Sequence, residues 1–179
     1  MKYDMEMILE WAKVFPENAD YGDPEAPVKS TAGSVARKGG QCIVNAYFTK
    51  EEDLQKLWDA GMDPKPMGHP RVLDGEYGIG KYIKLRRWIP DNIREFKNNS
   101  GGVNEVNFGG FPVIIDFRSP EDKKLWSFEE DGQLWNGTKA IVKFDMYSEG
   151  SGLRLEKIAV KELPEYEPQE QSEYADVWD

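Results

Sequence analysis

The sequence predicts a mainly β domain over residues 1–163, a five- to six-stranded barrel with one short helix and long loops, followed by an acidic, disordered tail over 164–179. Three observations predict it. Short apolar or alternating runs recur between stretches rich in Pro, Gly and Asn. A single segment carries apolar residues at helical spacing. In the last strand the apolar positions change parity, from Leu153 and Leu155 to Ile158 and Val160. That places a β-bulge near Glu156–Lys157, a device barrels use to bend a strand.

Glu10–Pro16 reads as the first strand, with Trp11, Lys13 and Phe15 on one side and Ala12 and Val14 on the other. Residues 16–40, rich in Pro, Gly, Asp and Ser, read as a long loop. Cys42–Phe48 is the second strand. Thr49 then stands as an N-cap, with Glu51, Glu52 and Asp53 at the positive helix end. Leu54, Leu57 and Trp58 form the helical apolar stripe, and Gly61 closes it. A second loop runs from Asp63 to Gly80, a third strand from Lys81 to Ile89, and a polar stretch with a flexible tip over 90–110. Phe111–Phe117 is a fourth strand, and Ser119–Asp122 starts a helical turn. Thr138–Tyr147 and Leu153–Leu163 pair as a hairpin around Glu149–Gly152.

The net charge of −10 argues at first against a polyanion as partner. Its distribution reverses that. Residues 164–179 hold six acids and no Lys or Arg, and residues 1–27 hold seven acids against two lysines. The middle, 28–163, is left with 21 basic and 20 acidic residues, so it can carry a basic stripe. Aromatic residues, at 12%, leave some to spare beyond a core. A single cysteine, Cys42, excludes an intramolecular disulfide and suits a reducing cytoplasm. No basic-then-apolar leader and no long apolar run is present, so neither a secretory signal nor a membrane partner is expected.

The segment richest in chemistry is Lys81–Ile89. Alternation puts Ile83, Leu85 and Ile89 on one face and Tyr82, Lys84, Arg86 and Trp88 on the other. Cations between flat rings suit single-stranded nucleic acid: charge neutralises phosphates, and rings stack on unpaired bases. Arg87 adds a further candidate phosphate contact. A second stripe lies on the hairpin, with Lys139, Lys143 and Tyr147 on its first strand and Arg154 on its return. Tyr47 and Trp11 are weaker stacking candidates. The plainer alternative for both stripes is a solvated sheet face. The tail ends in Glu173, Tyr174, Asp176, Val177, Trp178 and Asp179. Aromatic residues among acids read as a docking peptide for a basic, apolar pocket of a partner. The same tail can occupy the chain's own basic groove as a mimic of phosphates.

Four segments carry a family likeness: Trp11–Phe15, Trp135–Phe144, Gly152–Val160 and the acidic, aromatic-ended tail, in that order from residue 10 to the end. In them the chain resembles the bacteriophage single-stranded DNA-binding proteins of the short OB-fold type. The resemblance implies an OB-fold-like barrel and sequence-independent coating of exposed single-stranded DNA, cooperatively or as a homodimer, in phage DNA replication, recombination and repair. It also implies tail contacts with replication proteins (polymerase, helicase or primase), no catalysis and no cofactor. Residues 16–40 and 90–110 match none of these motifs.

Two rival readings stay open. Surface Trp and Tyr residues could stack on sugars in a carbohydrate- or structure-binding β-sandwich module of a virion. Asp116, Asp145, Glu129, Glu130 and Asp131 could hold magnesium in a nuclease. Other signals carry less. His69, the only histidine, reads as a loop residue, and Cys42 as a small buried hydrophobe. Gly75–Lys81 lacks the spacing of a phosphate-binding loop and reads as a segment whose backbone approaches a strand.

Overall fold

The computed structural model describes residues 1–22 and 39–165, and the chain is mainly β. Five long strands dominate: β1 (Lys2–Lys13), β2 (Gln41–Phe48), β4 (Lys81–Trp88), β9 (Thr138–Tyr147) and β10 (Gly152–Glu162). Shorter strands are β3 (Leu73–Asp74), β5 (Ile93–Lys97), β6 (Val103–Asn107), β7 (Val113–Asp116) and β8 (Lys124–Leu125). The helices are α1 (Glu51–Asp59) and the one-turn α2 (Phe128–Asp131). The main sheet runs β3-β4-β2-β1-β9-β10-β7-β8, and β4 also meets β10 in parallel, Arg86 opposite Arg154. The pairings β1–β2–β4–β10–β9 therefore return to β1.

Alternation explains the long strands. Inward residues are Met5, Met7 and Leu9 on β1; Cys42, Val44, Ala46 and Phe48 on β2; Ile83 and Leu85 on β4. Ala140, Val142, Phe144 and Met146 of β9 meet Leu153, Leu155, Ile158 and Val160 of β10 in the same core. Each large member stabilises the fold by about 1.5–3 kcal/mol through area removed from water. The register of β10 against β9 slips between Leu155 and Lys157, where the change of apolar parity places the bulge. Burial pushes the Cys42 thiol up to about 12, so it packs as a hydrophobe rather than reacting as a thiolate.

Several expectations are corrected. The first strand begins at Lys2, not Glu10, because Met5, Met7 and Leu9 alternate inward ahead of it. A bulge at Trp11 then reverses parity, so Ala12 and Val14 continue the core. Thr49 does not cap α1: its hydroxyl donates to the Glu6 carbonyl at 3.0 Å, and Lys50 takes the cap position without a side-chain bond. Gly61 does follow the helix in a left-handed conformation (φ +95°). The polar stretch 90–110 is an exposed hairpin, β5–β6, whose tip is tied by three bonds to Asn98 Oδ1 from Ser100 N, Ser100 Oγ and Gly102 N. The tail candidates Glu173, Tyr174, Asp176, Val177, Trp178 and Asp179, and most of the loop 16–40, lie outside the described residues. No helix among the described residues is long and apolar enough to cross a membrane.

One acid supports the edge of the sheet. Asp116 on β7 accepts from Arg118 Nε at 3.0 Å, Nη2 at 2.8 Å and its backbone N at 3.1 Å. The Arg118 bonds hold its carboxyl down at about 2, below its ordinary 3.8. A depressed carboxyl adds stability that is complete above pH about 4 and disappears as pH falls toward 2. Screening at the half-exposed Arg118 keeps the amount to the order of 1 kcal/mol. Asp116→Asn is expected to lower the Tm at pH 7 and to flatten the fall in Tm between pH 4 and 2, both read by thermal melts.

Candidate nucleic-acid interface

Strand β4 sorts its side chains by parity. Ile83, Leu85 and Arg87 point inward; Tyr82, Lys84, Arg86 and Trp88 point outward. Across the sheet these four lie opposite Tyr47, Asn45, Ile43 and Gln41 of β2. Lys84 is exposed and has no ion pair among the described residues. Trp88 and Arg86 are half-buried.

At the Tyr82 end the face is covered. The Tyr82 ring packs on Tyr47 at 4.8 Å, and Tyr77 meets Tyr47 edge-on at 5.3 Å. The glycine-rich loop lies directly on Tyr47: a Cβ on Gly75 would fall 2.0 Å from the Tyr47 hydroxyl. That close approach is the use of the glycines in Gly75–Gly80. Tyr47 is only 1% exposed, and its hydroxyl donates to Glu10 Oε1 at 3.1 Å. Burial and the bond to Glu10 push the phenol up to about 12. Tyr47 is thus a packing residue and not a free stacking ring.

Arg87 is a correction. Alternation aims it inward, where it is 9% exposed and all five of its N–H donors find acceptors. Nε donates to the Gly110 carbonyl (2.9 Å); Nη1 to the Leu155 carbonyl (3.2 Å) and Glu156 Oε2 (3.1 Å); Nη2 to the carbonyls of Asn107 (3.3 Å) and Gly109 (2.8 Å). No donor remains for a phosphate. Arg87 instead fixes the chain after β6 onto β10.

The second stripe divides. Lys139 faces Glu162 at 3.7 Å and Lys143 faces Asp4 at 3.9 Å. Such exposed pairs contribute about 0–1 kcal/mol and are screened by salt, but they offset the local positive potential. Arg154 is paired more firmly still. Its guanidinium bonds Asp145 Oδ2 (2.7 Å) and Glu156 Oε1 (3.0 Å) and rests over the rings of Phe108 (4.2 Å) and Tyr147 (4.8 Å). Tyr147 remains 42% exposed.

The fold thus brings Lys84, Arg86 and Trp88 of β4 beside Arg154 and Tyr147 through the Arg86–Arg154 contact. It leaves Lys139 and Lys143 among carboxylates and turns Arg87 inward. Two members of this surface escape sequence reasoning. Phe108 follows β6, and its ring also meets Phe96 of the hairpin at 6.0 Å. Arg71 stands in the connection before β3 and donates Nη2 to the Ser151 carbonyl. Neither sits in a periodic segment, so no local pattern marks them. Trp11 is 58% exposed at a positive φ of 51° on the β1 bulge, its backbone N–H donating to Asn136 Oδ1 at 2.7 Å.

Among the described residues no group of three or more His, Cys, Asp or Glu side chains could hold a metal ion. No protein-family model, no curated protein and no solved structure matches this chain.

Proposed function

We propose that this chain binds single-stranded DNA without sequence preference, as an OB-type barrel with an acidic tail, and coats strands exposed during phage DNA replication, recombination and repair. The supporting fold observation is the ring of pairings β1–β2–β4–β10–β9, in which β4 and β10 run parallel and the other neighbours antiparallel. The observation that carries the functional reading is the row Lys84, Arg86, Trp88 meeting Arg154 over Phe108 and Tyr147. Lys84 and Arg86 there serve phosphates, and the rings on which the paired Arg154 rests serve bases. Binding draws on counterion release and stacking and needs no catalytic group. The tail, in this reading, competes with DNA for the same surface and docks replication proteins.

The test is quenching of tryptophan fluorescence by poly-dT at two salt concentrations, alongside a matched duplex. Affinity for poly-dT is expected to exceed that for the duplex and to fall steeply with salt. Trp88→Ala is expected to weaken binding roughly tenfold, within the range of about 1–3 kcal/mol per stacked base. Equal affinity for duplex and poly-dT would refute the reading. Salt-insensitive binding to a sugar would favour the sandwich module in its place.

A further inference from the structure

The β4–β10 surface contains two guanidinium groups whose hydrogen-bonding needs are unmet. Arg71 and Arg86 each have a buried Nε with no partner among the described residues. Both lie at one place in the fold. Arg71 reaches the Ser151 carbonyl at the β9–β10 turn, and β10 starts one residue later. Arg86 faces Arg154, two residues into that strand. Tyr147, which ends β9, is close enough to influence Arg71, as is Arg86 itself. An arginine does not shed its proton in a protein, so the two charges persist side by side.

Two of the neighbouring acids are committed elsewhere. Asp145 bonds Arg154 and the N-terminal amine, and Glu156 bonds Arg154 and Arg87. Asp63 partly offsets the charge of Arg71 without bonding it, and its Oδ1 accepts from the Lys65 backbone. A buried donor without an acceptor is costly, and two like charges together are costlier. Among the described residues the Arg86 side chain makes no hydrogen bond and that of Arg71 only the one to Ser151, so their terminal nitrogens, which unlike the enclosed Nε atoms can face a ligand, match a tetrahedral dianion or a phosphodiester whose several oxygens accept from both.

We propose that Arg71 and Arg86 together clamp one phosphate group of a bound nucleic-acid strand, beside the Tyr147 ring. This rests on the DNA-binding reading above and adds Arg71 to it. The phosphate is either an internal phosphodiester or a 5′-terminal phosphate, and the experiment separates the two.

The experiment uses the full chain, as wild type, Arg71→Gln, Arg86→Gln and the double variant. Each is titrated with oligo-dT carrying a 5′-hydroxyl or a 5′-phosphate over a series of salt concentrations. Each single variant is expected to lose about tenfold in affinity, and its log–log salt slope to become shallower by about 0.7, the value for one phosphate on a single strand. Because one phosphate is shared, the double variant should lose clearly less than the product of the two single losses. Losses on both oligonucleotides assign an internal phosphate; losses confined to the 5′-phosphate form assign the terminus. A single variant that binds as wild type does, or a double variant showing the full product with twice the slope change, overturns the clamp while DNA binding stands. Arg71→Lys guards against misfolding: it keeps the charge and should recover most of the slope. A second measurement is independent of DNA. Inorganic phosphate, at constant ionic strength, should raise the Tm of the wild type and not of Arg71→Gln. If the wild type ignores oligo-dT, the DNA reading fails and the clamp on a strand fails with it, and a Tm shift by phosphate then marks a phosphate site alone.

Discussion

Arg87→Met is expected to lower stability by about 3–5 kcal/mol, the cost of removing one partner of a buried, hydrogen-bonded charge. At about 2–4 °C per kcal/mol for a chain of this size, the Tm should drop by roughly 6–20 °C. The mechanism is specific. Methionine fills much of the volume but leaves the carbonyls of Asn107, Gly109, Gly110 and Leu155 without their donor. Glu156 retains only Arg154 as its cationic partner. Each stranded acceptor costs about 1–3 kcal/mol if it stays buried, and local opening of residues 107–110 relieves part of it. Arg87→Lys keeps the charge but offers three donors where five are used, so it should fall between the two. Thermal melts read both variants. A Tm for Arg87→Met within about 2 °C of wild type would mean that the carbonyl cage contributes nothing, against the usual cost of orphaned acceptors.

Gly150→Ala is expected to cost about 2–5 kcal/mol, combining a disfavoured backbone with a steric clash. Gly150 has φ +92°, and a Cβ there would lie 2.0 Å from the Gly61 carbonyl oxygen and 3.0 Å from Met62 Cα. Both neighbours are backbone and cannot swing aside. The Gly150 carbonyl also accepts from Asp63 N at 2.9 Å, so any shift breaks the tie between the β9–β10 turn and the end of α1. Gly61→Ala is the matched control. Gly61 has nearly the same φ, +95°, with nothing within 4 Å of a built Cβ. It should cost about 1–2 kcal/mol, the conformational part alone. Equal losses in the two variants, measured by thermal melts, would show that the clash is relieved without cost. The turn also carries Ser151, the anchor of Arg71. Gly150→Ala should therefore weaken binding to oligo-dT even where the variant is folded.

The legible part of this chain is whatever a few neighbouring residues decide. Strand β4 is found from Ile83 and Leu85 at alternate positions, and the outward row Tyr82, Lys84, Arg86, Trp88 follows from the same period. The β10 bulge is found from a change of apolar parity, because a strand must add a residue to keep its core face. The N-terminal half of β1 was equally legible in Met5, Met7 and Leu9, but the interleaved charges Asp4 and Glu6 mask it. Arg87 carried its own signal too: its parity with Ile83 and Leu85 outweighs the habit of placing cations outside.

Short-range pattern alone is enough for the strands β2, β4, β9 and β10, for the outward row of β4 and for the place where the run of acids begins. Which faces meet is settled when distant strands pair. The parallel contact of β4 with β10 joins Arg86 to Arg154, far apart in sequence, and no local period encodes it. The same holds for the carbonyl cage around Arg87, the loop lying on Tyr47, and the approach of Arg71 to Arg86. Periodicity is a property of a few consecutive torsions, whereas a charge finds or lacks its partner only when distant strands are brought together.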